Sequence, residues 1–355
     1  AASEFDQVAL LGGCAKWLRR IDHPGRIADY VDMAVTAATS GRPGPAVLLA
    51  PVELFDNPAA EQRVRGADCG TYPLDRPVAD STSIAAAATL LTEAEAPIVI
   101  AGGGVHLSDA CEALARFQEA ANLPVGTTTM GKGAVDETHP LSFGPISYYL
   151  GRGSTSRSQR PLVEEADVVL LIGSRTNQNG TDSWRLYPPK ARYIHIDIDG
   201  QEIGRNYEAL RLVGDARATI DALREAIERL NLDKRRAARG AVERRIAQAR
   251  AADRTEIRPS DRLRPEHVMA QIDRRAVPIS ARTGGPWLGT AAGDRRQAGR
   301  TMPPGRRHRR RRCLRPCLAG TGDSAPARPR ANRHRAEQPG AGIPARLRAG
   351  GLRRA

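Results

Sequence analysis

Between Asp22 and Ser40, apolar residues recur at Ile27, Tyr30, Val31, Ala34, Val35 and Ala38. This is the i, i+3, i+4 spacing of one helical face, with Pro24 near the start and Gly41 past the end, and it predicts a helix. After the turn Gly41-Arg42-Pro43-Gly44-Pro45, the run Ala46 to Val52 is short, unbroken and rich in Val and Leu, which predicts a buried strand. Residues 57–80 carry Pro58, Pro73 and Pro77 among charges without any period, the pattern of a linker crossing between domains.

The pattern then alternates between helix and strand. A helix from Ser83 to Thr92 leads into a strand from Pro97 to Ala101, and Gly102-Gly103-Gly104 turns the chain into a helix from Ser108 to Ala121. Ser108 is placed to cap that helix, with Leu114, Phe117 and Ala121 facing inward. Further strands are predicted at Pro124–Thr128, Val168–Ile172, Tyr193–Ile198 and Leu212–Val213. The last leads through Gly214-Asp215 into a helix from Ala216 to Leu230. Strands alternating with helices imply an α/β fold, a doubly wound parallel sheet. Residues 233–255, with Arg235, Arg236, Arg239, Arg244, Arg245 and Arg250 among alanines, predict an exposed helix whose charges are solvated. Pro265-Glu266 opens a short amphipathic helix through Val268, Met269 and Ile272.

Charge changes the picture at one place. Up to residue 280 there are 35 Lys and Arg against 37 Asp and Glu; from 281 to 355 there are 19 Arg against 3 acids, so the whole excess of +14 lies in the last segment. That segment holds 52 of its 75 residues in Arg, Ala, Gly and Pro, has no Lys and has Trp287 as its single aromatic, so it is expected to be disordered. The run Arg306-Arg307-His308-Arg309-Arg310-Arg311-Arg312 suits non-specific nucleic-acid binding, but no aromatics are interleaved for base stacking. These four residue types have codons beginning with paired G and C, so a GC-rich gene read out of frame also yields this surplus. Cys14, Cys69, Cys111, Cys313 and Cys317 are too few and odd in number for a disulfide framework, and the last two lack a partner pair for zinc. No run approaches the ~18 apolar residues of a membrane span, and the start A-A-S-E-F-D-Q lacks both an initiating Met and a signal pattern. The expectation is a cytoplasmic protein whose N-terminus is incomplete.

Candidate chemistry gathers at the strand ends, where open α/β sheets bind ligands. Gly102–Gly104 allow close backbone approach to a ligand, although the G-x-G-x-x-G dinucleotide pattern is absent. Thr127-Thr128-Thr129-Met130-Gly131, Gly173-Ser174-Arg175 and His195-Ile196-Asp197-Ile198-Asp199 end or follow strands at the same edge. A carboxylate there suits ribose hydroxyls, and an Arg suits a phosphate. His195 reads as a satisfied core histidine, and Asp199 as a cap for a helix starting near Gln201.

From about Phe5 to Arg275 the chain resembles the thiamine diphosphate-dependent carboligases and decarboxylases, and within them the large catalytic subunit of acetolactate synthase. The resemblance rests on S-G-R-P-G-P at 40–45, A-G-G-G at 101–104 and T-T-M-G-K-G at 128–133. It continues with G-S-R at 173–175, Y-I-H-I-D-I-D-G at 193–200 and G-D-A at 214–216. It implies the end of a pyrimidine-binding domain at 1–57, a linker at 58–85 and a central nucleotide-type domain at 86–232. After a helical linker at 233–265, residues 266–275 would start a pyrophosphate-binding domain, with 276–355 as an out-of-frame basic tail.

The same resemblance implies FAD in the central domain, held by Arg42, Gly103, Thr129, Met130, Arg175, Asp197, Ile198, Gly214 and Asp215. After Arg175 the synthases carry an acidic and basic run where this chain has Thr176-Asn177-Gln178-Asn179-Gly180, so ADP or an empty site stands beside FAD. Thiamine diphosphate, Mg²⁺, a 2-oxo acid substrate and a homo-oligomer are implied for full-length relatives. No residue here matches the family's catalytic Glu. Its G-D-G metal motif has only Gly293-Asp294-Arg295 and Gly322-Asp323-Ser324 as counterparts, both lacking the second Gly. The expectation is thus a fragment of an acetolactate synthase-like carboligase, inactive as it stands. The alternatives are another thiamine diphosphate enzyme or a non-catalytic nucleotide- or nucleic-acid-binding protein.

Overall fold

The computed structural model describes residues 5–56, 58, 71–151, 154, 156–253 and 268. Near the start, helix α1 (Gln7–Gly12) precedes strand β1 (Trp17–Arg20), helix α2 (Ile27–Thr39) and strand β2 (Ala46–Leu49). β1 and β2 form a parallel pair with Trp17 opposite Ala46 and Arg20 opposite Leu49, and α2 packs on both. The predicted strand stops three residues early because the chain coils into a 3-10 turn over Val52–Asp56.

Helix α3 (Ser81–Glu93) is started by Asp80, whose carboxylate accepts the Ser83 amide at 2.9 Å, and it buries Ile84, Ala87, Ala88 and Leu91 on one face. It begins ahead of the expected domain boundary at 86. Then follow β3 (Pro97–Ala101), α4 (Gly103–Leu107), α5 (Cys111–Ala121), β4 (Val125–Thr127), β5 (Ser142–Pro145), α6 (Arg160–Glu164) and β6 (Val168–Ile172). β7 (Arg192–Asp197), β8 (Ala209–Val213), α7 (Ala216–Glu228) and α8 (Asp233–Ala252) complete the described chain.

β3 to β8 make one six-stranded, all-parallel sheet in the order β5-β4-β3-β6-β7-β8. Its strands alternate between two cores. Val99, Ala101, Leu170, Ile172, Ile194 and Ile196 face α3, α5 and α7, while Ile98, Ile100, Val169, Leu171 and Tyr193 face α6 and α8. Helices on both faces make the sheet doubly wound, as expected. Fully buried side chains such as Leu91, Phe117, Ile100 and Leu171 each contribute about 1.5–3 kcal/mol.

Three expectations are corrected. The helix predicted over Ser108–Ala121 starts only at Cys111, as α5 with Ala110 and not Ser108 before its first turn; a separate short helix, α4, occupies Gly103–Leu107, where a glycine turn was expected, and Asp109 between the two is left-handed (φ 52°). Ser108 instead serves α7, because its hydroxyl accepts the Arg217 amide at 3.0 Å and donates to Asp215 at 2.6 Å. The charges of α8 are not simply solvated. Arg235 is buried and donates to the Ala94 carbonyl, Arg239 pairs with Glu119 and Glu243, Arg245 pairs with Glu165, and Arg250 donates to the carbonyls of Glu137 and Ser142. Finally, no helix follows Asp199; residues 201–207 are turns. The expectations for residues 59–70, for the helix at 266–275 apart from the helical Val268, and for the basic tail lie outside the described residues.

Candidate functional site

The strand order reverses between β3 and β6: the chain moves outward from β3 to β5 on one side and from β6 to β8 on the other. Such a switch point opens a crevice beyond the carboxyl ends of the two strands. Gly102–Gly104 leave β3 there and Gly173-Ser174-Arg175 leave β6 beside them. The two turns touch backbone to backbone. A Cβ on Gly104 would stand 2.6 Å from the Gly173 Cα, and one on Gly102 would stand 2.2 Å from the Gly173 oxygen. The Gly104 amide donates to the Gly173 carbonyl at 3.0 Å and the Gly102 amide to Ile172 at 2.8 Å, so the sheet's hydrogen bonding runs on past its edge. These contacts, rather than a phosphate alone, explain Gly102 and Gly104.

On the β4 side Thr128 caps the 3-10 turn Thr129–Gly131 through the Gly131 amide at 3.2 Å. The turn leaves Thr129 and Met130 exposed, with the Met130 Cβ 3.1 Å from where a Gly103 Cβ would be. Arg175 is also exposed and has no hydrogen-bond or ion-pair partner among the described residues. An unpaired guanidinium at a crevice mouth is a ready phosphate ligand.

Asp197 ends β7. Its Oδ1 accepts the Asp199 amide at 2.9 Å and its main-chain carbonyl accepts the Gly214 amide at 2.9 Å. Burial, with the charges of Asp199 and Glu202 adding to it, pushes the Asp197 carboxyl up to about 6. Burial would also raise Asp199, but the Gln201 amide and the Arg42 guanidinium outweigh it and hold that carboxyl below its ordinary value. Arg42, from the turn after α2, bridges Asp199 at 3.0 Å and the buried Glu202 at 2.8 Å, joining the small parallel pair to the large sheet. Ile198 is half-buried next to Asp197.

Asp215 lies at the same edge with its carboxylate already engaged. It caps α7 through the Ala218 amide at 3.0 Å, accepts from Arg76 at 3.0 Å and accepts the Ser108 hydroxyl. Gly214 is closed in by Thr219, Ala79 and Pro77, all within 2.9 Å of a Cβ there. Of the nine expected ligands, Gly103, Thr129, Met130, Arg175 and Asp197 lie at this edge, Ile198 is half-buried beside Asp197, and Arg42, Gly214 and Asp215 are committed to the protein's own contacts. His195 is buried, with burial lowering it to about 4; it bonds the Ser174 backbone while its Nε2 has no partner, so the core histidine expected is only half satisfied. Sequence reasoning missed Arg76, Glu202 and the stacked pair Tyr148–Tyr149, whose rings lie 4.7 Å apart with Tyr149 beside Thr129. Only the aromatic doublet after a Gly-Pro turn signalled the last of these.

The chain matches the family described as "Thiamine pyrophosphate enzyme, central domain" over residues 84–223. Over these residues the chain is similar to the central domain of thiamine pyrophosphate enzymes. This domain, with its flanks, is 35% identical over 243 residues to a "Probable acetolactate synthase large subunit" of Methanocaldococcus jannaschii, a match covering 65% of this chain and 39% of that protein. It is 30% identical over 236 residues to a sulfoacetaldehyde acetyltransferase of Castellaniella defragrans, covering 64% of this chain and 37% of the relative. An acetolactate synthase of Arthrospira platensis is 31% identical over 229 residues, with 62% and 38% covered. The chain thus spans under two fifths of the length of these curated relatives.

Two groups at this edge suit a nucleotide by chemistry, the unpaired Arg175 guanidinium and the Asp197 carboxylate with one unengaged oxygen, whereas Gly102 and Gly104 are taken up by the Gly173 backbone. Thiamine diphosphate and its metal are not assigned residues, since no group of three or more His, Cys, Asp or Glu that could hold a metal occurs among the described residues. No helix among them is long and apolar enough to cross a membrane.

Proposed function

We infer that this chain is the nucleotide-binding part of a thiamine diphosphate-dependent carboligase of the acetolactate synthase kind, whose full-length relatives condense 2-oxo acids as homo-oligomers. The observation that carries the reading is the unpaired, exposed Arg175 just past the carboxyl end of β6, where the strand order reverses, with Gly103 and Asp197 at the same sheet edge. Arg175 would take a phosphate of ADP or of the ADP half of FAD, the Gly102–Gly104 turn would allow the diphosphate to approach, and Asp197 would accept a ribose hydroxyl. The bound group would serve as a structural ligand. The chain's own residues position it and move no proton in doing so.

The test is calorimetric titration of the full chain with ADP and with FAD. Binding is expected, and Arg175→Ala should weaken it by about 10- to 100-fold, the size of a lost charge-assisted bond. Binding unchanged by the substitution would reject the assignment. The 355-residue chain is also expected to form no acetolactate from pyruvate when supplied with thiamine diphosphate and Mg²⁺, because no residue matches the family's catalytic Glu or G-D-G motif. Product above a no-protein control would overturn that. The segment 281–355, at 19 Arg against 3 acids, is assigned weak polyanion binding set by charge alone.

A further inference from the structure

At the end of α4 and the start of α5, two side chains the nucleotide reading does not use meet. The Cys111 sulfur lies 3.4 Å from His106 Nδ1, and His106 Nε2 lies 3.0 Å from the Lys132 carbonyl oxygen. A carbonyl only accepts, so Nε2 carries the hydrogen and Nδ1 presents its lone pair to the thiol. A nucleophile, a base within reach of it and a third group fixing the base's tautomer is the arrangement that activates a thiol.

We propose that Cys111, with His106 as its base, is a nucleophilic thiol that small hydroperoxides oxidise to a sulfenic acid. Cys111 is the first residue of the eleven-residue α5 and is half-buried, packed against the core on one side. Burial and the charge of Asp109 push the thiol up, so the proton has to be removed during attack and a base beside the sulfur is required. The other charged groups facing the pair are accounted for. Asp109 is paired with Arg217 of α7 at 3.5 Å, Glu112 with Arg116 of α5 at 3.9 Å, and the Lys132 ammonium with Glu137 at 2.8 Å. His106 is therefore the group left to take the proton.

With hydrogen peroxide the step balances. The sulfur attacks one peroxide oxygen, an S–O bond forms and the O–O bond breaks. The thiol proton passes to His106 Nδ1 and then to the departing hydroxide, which leaves as water. The sulfur loses two electrons and the peroxide gains them.

The experiment uses the full chain, reduced and then exposed to graded hydrogen peroxide, with sulfenic acid trapped by dimedone and each cysteine read separately by peptide mass spectrometry. Cys14 is the internal reference: it is exposed, and its sulfur contacts only the Leu11 carbonyl. Cys111 is expected to be trapped at lower peroxide than Cys14, and His106→Gln to slow it by about 100-fold, the lower range of general-base catalysis, while leaving Cys14 unchanged. The comparison of Cys111 with Cys14 in the unsubstituted chain needs no variant, so it stands even if His106→Gln fails to fold. Equal or slower trapping of Cys111, or a His106→Gln rate like wild type, would each overturn the proposal.

Discussion

Asp197 and His195 stand two positions apart on β7, and burial acts on their titrations in opposite directions. His195 is lowered from 6.5 to about 4, so between these values the unfolded chain binds a proton that the folded chain refuses, and stability falls as pH falls. Asp197 is raised from 3.8 to about 6, so in that window the folded chain binds the extra proton and stability rises as pH falls. The two effects nearly cancel between about pH 4 and 6 in the natural chain. Asp197→Asn removes one of them. The variant is expected to be more stable at neutral pH by about 3 kcal/mol, from roughly two pKa units at 1.36 kcal/mol each, and to lose that advantage as acid protonates Asp197 in the natural chain. Urea unfolding of both proteins across this range is the measurement, and a constant difference would reject the Asp197 assignment. The carboxylate that suits a ribose is thus held at a cost to the fold. A ligand hydroxyl donating to it would offset part of that cost.

At the scale of elements, the site depends on two turns pressed together more closely than any side chain allows. Gly173 has φ 57° and a Cβ there would meet the Gly104 Cα at 2.5 Å, whereas Gly133 has φ 84° and nothing within 4 Å. Gly133→Ala therefore costs only left-handed strain, about 1–2 kcal/mol. Gly173→Ala adds a clash between two backbones that cannot yield without separating β3 from β6, and should cost about 3 kcal/mol or more and abolish ADP binding. Thermal unfolding of the pair checks the order, and equal losses would mean the turns have room to part.

Much of this architecture was legible in the sequence. β3 and β6 coincide with their predicted spans because an unbroken Pro97–Ala101 or Val168–Ile172 run between turn residues has few other homes. β5 was not legible, since Ser142-Phe143-Gly144-Pro145 has neither alternation nor an apolar run and becomes a strand only by pairing with β4. The split of α4 from α5 was hidden for a similar reason. Asp109 tolerates a left-handed kink that local pattern does not mark, and the cap role of Ser108 depends on Arg217, over a hundred residues away. Asp215 sits at the expected edge, but its engagement was hidden, because its partners Arg76 and Ser108 come from distant segments.

Across the whole molecule, charge is used in two ways. Up to residue 280 the two signs nearly balance, and arginines form specific contacts: Arg42 ties the β1–β2 pair to the large sheet, Arg76 ties the segment before α3 to α7, and four arginines of α8 reach across to α5, the loop before β5 and the strand ends near Ala94 and Glu165. Each of these guanidiniums has a partner, so none is free to attract a polyanion strongly. After residue 280 the 19 Arg have only 3 acids to offset them. Counterion release then sets the behaviour: the chain's affinity for duplex DNA should fall linearly with the logarithm of salt concentration, with a slope of about 0.9 per phosphate neutralised, and should not depend on DNA sequence. Replacing Arg306, Arg307, Arg309, Arg310, Arg311 and Arg312 by Gln should flatten that slope while leaving ADP binding at the Arg175 edge untouched. Fluorescence anisotropy with two unrelated duplexes at several salt concentrations is the measurement. A salt-resistant preference for one duplex would mean that direct base recognition, and not charge alone, governs this segment.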